Sequence, residues 1–139
     1  MGFQKVNTVD SKNEMLHFVR SLLDDVQAFE YMLENDWFES NITRIGAEQE
    51  MCLVHNKTFK PATINMEVLA KLGDDKPWCV TELAKFNLET NLSPREFVGD
   101  CLSQLEAENL SYLATIQKVL DEFDASIILC GILPTLRKH

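Results

Sequence analysis

Apolar residues recur at helical spacing in two long segments of the chain. In the first, they follow Ser11-Lys12-Asn13-Glu14, which has the S-x-x-E spacing of a capping box that satisfies free N–H groups at a helix start. We therefore predict a helix over residues 11–35, preceded by a lead-in over residues 1–10. Ser93-Pro94-Arg95-Glu96 has the same spacing and predicts a second long helix, from residue 93 to about residue 123.

Between and after these helices, the pattern changes to strands and one short helix. Residues 43–54 favour a strand, residues 63–72 a short helix, and residues 79–92 a second strand region. Residues 126–133 are continuously apolar up to Pro134, which predicts a strand in the centre of a sheet. This order predicts an α+β fold: a small, mainly antiparallel sheet of about three strands, with the long helices packed on one face.

Length and charge narrow the classes of function. The 139 residues are enough for one domain spanning residues 1–139, and 22 acidic against 13 basic side chains give a net charge of −9. This charge argues against nucleic acid and against an anionic membrane surface as partners, and no apolar run is long enough to cross a bilayer. The chain starts without the apolar core of a signal peptide. The four cysteines are widely spaced, without a CxxC motif, so we expect reduced thiols in the cytoplasm.

Two glutamates interrupt the first predicted strand. Side chains alternate along a strand, so Glu48 and Glu50 point to the same face, about 7 Å apart. If that face is enclosed, the two carboxylates raise each other's pKa unless a cation lies between them. Oxygen ligands without a neighbouring His or Cys favour Mg²⁺ or Mn²⁺ over zinc. The alternative is an edge strand whose glutamates point to water and prevent pairing with other chains.

The second strand region adds two more carboxylates, Glu82 and Glu89. They are seven residues apart, so an unbroken strand would point them to opposite faces. A bulge could reset the alternation, Glu82 could reach the site from a loop, or the segment could be helical, since residues seven apart share a helix face. On a strand, Asn87, Glu89 and Asn91 share one face, and this polar stripe could lie beside Glu48 and Glu50.

Together these motifs resemble the glutamate–cysteine ligase family, in its carboxylate–amine ligase branch with a glutamine-synthetase-like fold. The resemblance covers residues 43–135 and rests on their order and spacing. It is carried by Gly46-x-Glu48-x-Glu50, Thr81-Glu82-Leu83, Glu89 seven residues after Glu82, Asn91-Leu92-Ser93-Pro94 and Gly131-Ile132-Leu133-Pro134.

The resemblance implies an ATP-dependent ligase. In such enzymes, the γ-carboxylate of glutamate is activated as an acyl phosphate and then joined to an amine such as that of cysteine, with ATP as substrate and Mg²⁺ or Mn²⁺ as cofactor. It implies that Glu48 and Glu50 are metal ligands, and that Glu82 and Glu89 are further metal ligands or position substrate. Arg44 and Asn91 are the candidates for positioning substrate or nucleotide.

Family members are several hundred residues long, so the resemblance identifies this chain as the N-terminal portion of such an enzyme. We expect this portion to lack a complete active site and to form no product alone. The alternative from another class is a non-catalytic binding or regulatory module that keeps the ligase fold. A third alternative is a structural domain with solvated acids. An exposed sheet edge could also pair with another copy of the chain.

Overall fold

The structure is a computed structural model that describes residue 9 and residues 11–137, and it consists of two compact units, Met1–Ile42 and Thr43–His139. The first unit contains helix α1 (Lys12–Glu34). Ser11 Oγ accepts a hydrogen bond from the Glu14 N–H at 3.2 Å, and the Glu14 carboxylate accepts one from the Ser11 N–H at 2.9 Å. The predicted helix and its capping box are therefore confirmed. The predicted lead-in lies outside the described residues, except for residue 9.

The chain that follows α1 folds back onto the end of the helix. The ring of Phe38 packs edge-on against Phe29, with centroids 5.7 Å apart, and Trp37 packs edge-on against Tyr31 at 5.9 Å. None of the side chains of α1 is buried. The apolar stripe of this helix is thus largely accessible, with exposed fractions near one half for residues such as Leu22 and Val26.

The second unit contains two antiparallel sheets and two helices. Strands β1 (Arg44–Ile45) and β5 (Arg95–Glu96) form a two-stranded sheet. The larger sheet has the order β3-β4-β2-β6, from β2 (Glu48–His55), β3 (Cys79–Thr81), β4 (Asn87–Asn91) and β6 (Ala125–Ile128). The helices are α2 (Asn65–Leu72) and α3 (Cys101–Leu120), and a short 3₁₀ helix, Asp121–Phe123, follows α3. The predicted α+β class is confirmed, although the main sheet has four strands and not three.

Helices α2 and α3 cover one face of the larger sheet. Met51 and Leu53 of β2 are fully buried there, in one cluster with Val68 of α2 and with Ile116 and Leu120 of α3. Each side chain of this size stabilises the fold by about 1.5–3 kcal/mol when fully buried. Side chains alternate along a strand. Glu50, Cys52 and Val54 therefore point to the opposite face of the sheet, which is the face that carries the carboxylates.

Two strand predictions need correction. Residues 79–92 are not one strand: β3 and β4 form a hairpin, and a turn over residues 82–86 joins them. The strand predicted in the centre of the sheet over residues 126–133 is β6, which ends at Ile128 and lies at the edge of the sheet. Its continuous apolar sequence has another cause: Ile127 packs into the helix-covered core, whereas Ile128 and Cys130 pack against a small cluster on the other face.

The second long helix starts later than predicted. Arg95 and Glu96 are in strand β5, paired with β1, and α3 begins only at Cys101. The Ser93 side chain does not cap a helix at this point, since its hydroxyl donates a hydrogen bond of 2.7 Å to Glu108 within α3. Tertiary pairing therefore outweighs the local capping signal over residues 93–96.

One side chain of α3 occupies the free edge of β6. Gln117 accepts a hydrogen bond from the Ile127 N–H at 3.2 Å and donates one to the Ala125 carbonyl at 3.1 Å. These are the two bonds that a neighbouring antiparallel strand would make with β6. The Gln117 amide also donates to Asp121 at 2.8 Å, which fixes its orientation.

Candidate metal centre

The carboxylates occupy the face of the larger sheet that α2 and α3 leave uncovered. The register of β2 and β4 places Glu50 opposite Glu89, and Glu48 opposite Asn91. Cross-strand partners point to the same face, so these four side chains lie side by side, as the alternation along the strand predicts. Residues 48–51 pair with β4 alone, whereas the remainder of β2 also pairs with β6. This half of β2 thus has a strand partner on one side only. Its two glutamates nevertheless lie close to the buried carboxylate of Glu89.

The hairpin brings Glu82 to the same face. Val80 is the cross-strand partner of Glu89, and Glu82 follows Val80 by two residues, so it continues on that side of the sheet. Glu82 comes just after the end of β3, where its carboxylate accepts a hydrogen bond of 2.9 Å from the Leu83 N–H. Of the arrangements left open by the odd spacing of Glu82 and Glu89, the structure shows the one in which Glu82 reaches the site from a loop.

Glu50, Glu82 and Glu89 converge to form what we call the acidic cluster. One carboxylate oxygen from each lies within 4.8 Å of the other two. Mg²⁺ binds oxygen at about 2.0–2.1 Å, so two ligands on opposite sides of the ion are about 4.2 Å apart. Side-chain movements of less than about one ångström would therefore bring these oxygens to ligand distance around one ion. The oxygen-only donor set fits a hard cation.

Glu89 is the buried member of the cluster. Only 7% of this residue is exposed. Burial raises the pKa of its carboxyl group, and the neighbouring carboxylates of Glu48 and Glu82 raise it further, including through a hydrogen bond with Glu82. The Asn91 amide donates a hydrogen bond of 3.1 Å to Glu89 and lowers the pKa, but the net direction is upward. A cation bound between these groups would favour the charged form instead.

Two of the predicted site residues, Glu48 and Arg44, lie outside the acidic cluster. Glu48 lies two residues before Glu50 on β2, opposite Asn91, and is not one of the three converging residues. It borders a cleft of about 500 Å³ lined by Gly46, Ala47, Glu48, Asn91, Leu92 and Pro94. Arg44 lies in β1, opposite Glu96 in the small sheet. The cluster therefore unites three of the four predicted metal ligands, with Asn91 attached to it through Glu89.

A polar network centred on Glu108 of α3 was not predicted from the sequence. Glu108 of α3 accepts hydrogen bonds from the Ser93 hydroxyl at 2.7 Å, the Tyr112 hydroxyl at 2.8 Å and the Arg95 guanidinium at 2.9 Å. Burial alone would raise the pKa of Glu108, but these three donors and the Ser93 N–H outweigh it and lower the pKa to about 2. The four-residue spacing of Glu108 and Tyr112 is a sequence signal for contact along one helix face. Ser93 and Arg95 join them only through the tertiary fold.

This network connects to the strand that carries Glu89. The ring of Tyr112 stacks on Trp78, with centroids 3.9 Å apart and planes within 3° of parallel. The carbonyl oxygen of Trp78 accepts a hydrogen bond of 2.8 Å from the Asn91 N–H at the end of β4. Helix α3 thus supports the strand end from which Asn91 reaches Glu89.

Neither protein-family models, nor curated proteins, nor solved structures give a match to this chain. Among the described residues, no helix has the length and apolar character that spanning a membrane requires.

Proposed function

We propose that the second unit belongs to an ATP-dependent carboxylate–amine ligase similar to the glutamate–cysteine ligase family, with a glutamine-synthetase-like fold. The observation that carries this proposal is the convergence of Glu50, Glu82 and Glu89, whose oxygens lie within 4.8 Å of one another. The sequence resemblance assigns all three to metal binding, although they come from separate positions along the chain. Their meeting on one sheet face is what that assignment requires.

The burial of Glu89 supports a binding role over a solubility role. Carboxylates that only keep a surface hydrated are exposed, because burying a charge without a partner is unfavourable. Glu89 is instead 93% buried, between neighbouring carboxylates that raise its pKa. A buried acid with a perturbed pKa, close to other carboxylates, is typical of functional sites. A divalent cation would offset the repulsion that this arrangement creates.

In the proposed site, each residue has a distinct task. Mg²⁺ or Mn²⁺, when bound, would neutralise phosphate oxygens during phosphoryl transfer. Glu50, Glu82 and Glu89 would hold the ion, and Asn91 keeps the Glu89 carboxylate oriented through its 3.1 Å hydrogen bond. The cleft beside Glu48 and Asn91 offers space for substrate next to the cluster. Arg44, carried by β1, is the proposed cationic group for nucleotide or glutamate.

The proposed reaction joins glutamate to an amine such as that of cysteine. The γ-carboxylate of glutamate attacks the γ-phosphorus of ATP, which gives an acyl phosphate and releases ADP. The amine then attacks the acyl carbon, and phosphate leaves. We place the enzyme in the cytoplasm, where thiols stay reduced, and all four cysteines of the chain are free.

Metal titration tests the site directly. We expect the chain to bind Mn²⁺, measured by calorimetry and by the loss of the free-ion electron paramagnetic resonance signal, with Mg²⁺ and Ca²⁺ as competitors. Glu50→Gln and Glu82→Gln each remove one charged ligand and should weaken binding by at least about tenfold. Glu106→Gln is the matched control, since Glu106 is an exposed glutamate of α3 outside the acidic cluster. Equal binding by all three variants would refute the assignment of the cluster.

An activity assay separates the ligase from a binding module that keeps the same fold. The resemblance places the remaining metal ligands and most of the basic residues that bind nucleotide and glutamate outside these 139 residues, so we expect metal binding without formation of γ-glutamylcysteine. Product formed by the chain with ATP, Mg²⁺, glutamate and cysteine would contradict this expectation. Failure to bind any divalent cation at millimolar concentration would favour the non-catalytic module.

A further inference from the structure

A pair of thiols lies on the same sheet face as the acidic cluster. Cys52 is two residues after Glu50 on β2 and is 4% exposed. Cys130, two residues beyond the end of β6, packs against the small apolar cluster that contains Cys52. Ile128, two residues before Cys130, is the cross-strand partner of Cys52. The Asn87 amide donates to Cys52 Sγ at 3.4 Å. Strand β2 and the segment that follows β6 therefore bring the two thiols into one cluster.

The two other cysteines have different surroundings. Cys79 is buried in the core between the sheet and the helices, on the opposite face of the sheet. Cys101 is buried at the first position of α3. Both provide internal comparisons, because they are as well buried as Cys52 but belong to other parts of the unit. Cys130 is more accessible than these three cysteines, as a half-buried residue.

We propose that Cys52 and Cys130 form a reversible disulfide, which makes this pair a redox-modification site. The oxidant is a low-molecular-weight disulfide, RSSR. The accessible Cys130 thiolate attacks one sulfur of RSSR, which forms a mixed disulfide and releases RS⁻. The Cys52 thiolate then attacks the Cys130 sulfur and releases the second RS⁻. Each thiol gives up one proton, so the two cysteines and RSSR yield one protein disulfide and two RSH.

The position of Cys130 permits the closure that a disulfide needs. A disulfide requires a sulfur–sulfur distance of about 2.05 Å and Cα atoms within about 7 Å. Cys130 lies outside the hydrogen-bonded ladder, which ends at the pairing of Ile128 with Cys52, and Gly131 follows it in a bend. A disulfide from Cys130 to β2 would therefore break none of the strand pairs between β2 and β6. The bridge would fasten the segment after β6 to β2, two residues from Glu50.

Thiol counting and peptide mapping test the proposal on the wild-type chain. After incubation of the reduced chain with oxidised glutathione, we expect the four free thiols to fall to two. Digestion without reductant should give a single cross-linked peptide pair joining Cys52 to Cys130, and dithiothreitol should restore all four thiols. The mapping needs no variant, so it stands even if a substitution prevents folding.

Variants identify the order of attack. Cys52→Ser should stop the reaction at a glutathione adduct on Cys130, whereas Cys101→Ser should form the disulfide as the wild type does. The proposal is overturned if the wild type keeps four thiols, if it retains the adduct on Cys130 without a bridge, or if the bridge maps to Cys79 or Cys101. Because the test uses no metal or nucleotide, its result is independent of the proposed ligase function.

Discussion

Replacing Glu108 with glutamine tests the polar network that joins α3 to the segment after β4. The folded chain lowers the pKa of Glu108 from 4.5 to about 2. At about 1.4 kcal/mol per pH unit, this shift corresponds to about 3 kcal/mol. Because 13% of the side chain is exposed, water screens part of the interaction with Arg95. We therefore expect Glu108→Gln to lower the free energy of unfolding at pH 7 by about 2–3 kcal/mol.

The stability difference between the wild type and Glu108→Gln depends on pH. A carboxyl group with a lowered pKa stabilises the folded state above its unfolded pKa, and the contribution is lost as the pH falls toward the folded value. Urea unfolding of the wild type and of Glu108→Gln, followed by tryptophan fluorescence, should differ most above about pH 5 and converge near pH 2. Glu106→Gln, on the same helix, should follow the wild type throughout. A difference that stays constant down to pH 2, or that is absent at pH 7, would refute the assignment.

Without divalent metal, Glu89→Gln should raise the free energy of unfolding at pH 7, because a carboxyl group with a raised pKa destabilises the fold at high pH; a lower value than the wild type's would contradict the crowding of the cluster. Gln117→Ala removes both bonds to β6 and should cost about 1–3 kcal/mol in chemical unfolding, with more aggregation on light scattering; unchanged values would refute the capping role. Ser11→Ala should lower helix content by circular dichroism through the loss of about 1 kcal/mol; an unchanged spectrum would count against the cap.

Local signals predicted those elements whose partners are close in sequence. Helix α1 begins at a capping box made by residues three apart, and α2 follows its own periodicity to its end, where Gly73 adopts a φ of 82°. The same signal failed at Ser93, because its hydroxyl finds a better acceptor in Glu108, fifteen residues away. A capping motif read from four consecutive residues carries no information about an acceptor that the tertiary fold brings to Ser93.

The candidate site likewise combines features that neighbouring residues determine with features that only tertiary contacts determine. Alternation along a strand was enough to place Glu48 and Glu50 on one face, because that inference uses only the strand itself. The position of Glu82 needed the β3–β4 hairpin, and the hairpin turn is built from residues such as Ala84 and Lys85 that give no strong turn signal. The pairing of Cys52 with a thiol beyond β6 depended on the contact between distant strands, which periodicity does not encode.

The Gln117 amide has a consequence for the order of events in folding. Gln117 lies only eight residues before Ala125, the first residue of β6. The strand partner of β6, by contrast, is β2, which lies much earlier in the sequence. During synthesis, the helix that carries the amide emerges before the strand does. When β6 pairs with β2, the Gln117 amide is therefore already available to hydrogen-bond the outer edge of β6. A strand from another chain would have to displace this tethered amide, whose effective concentration is high because the connection is short.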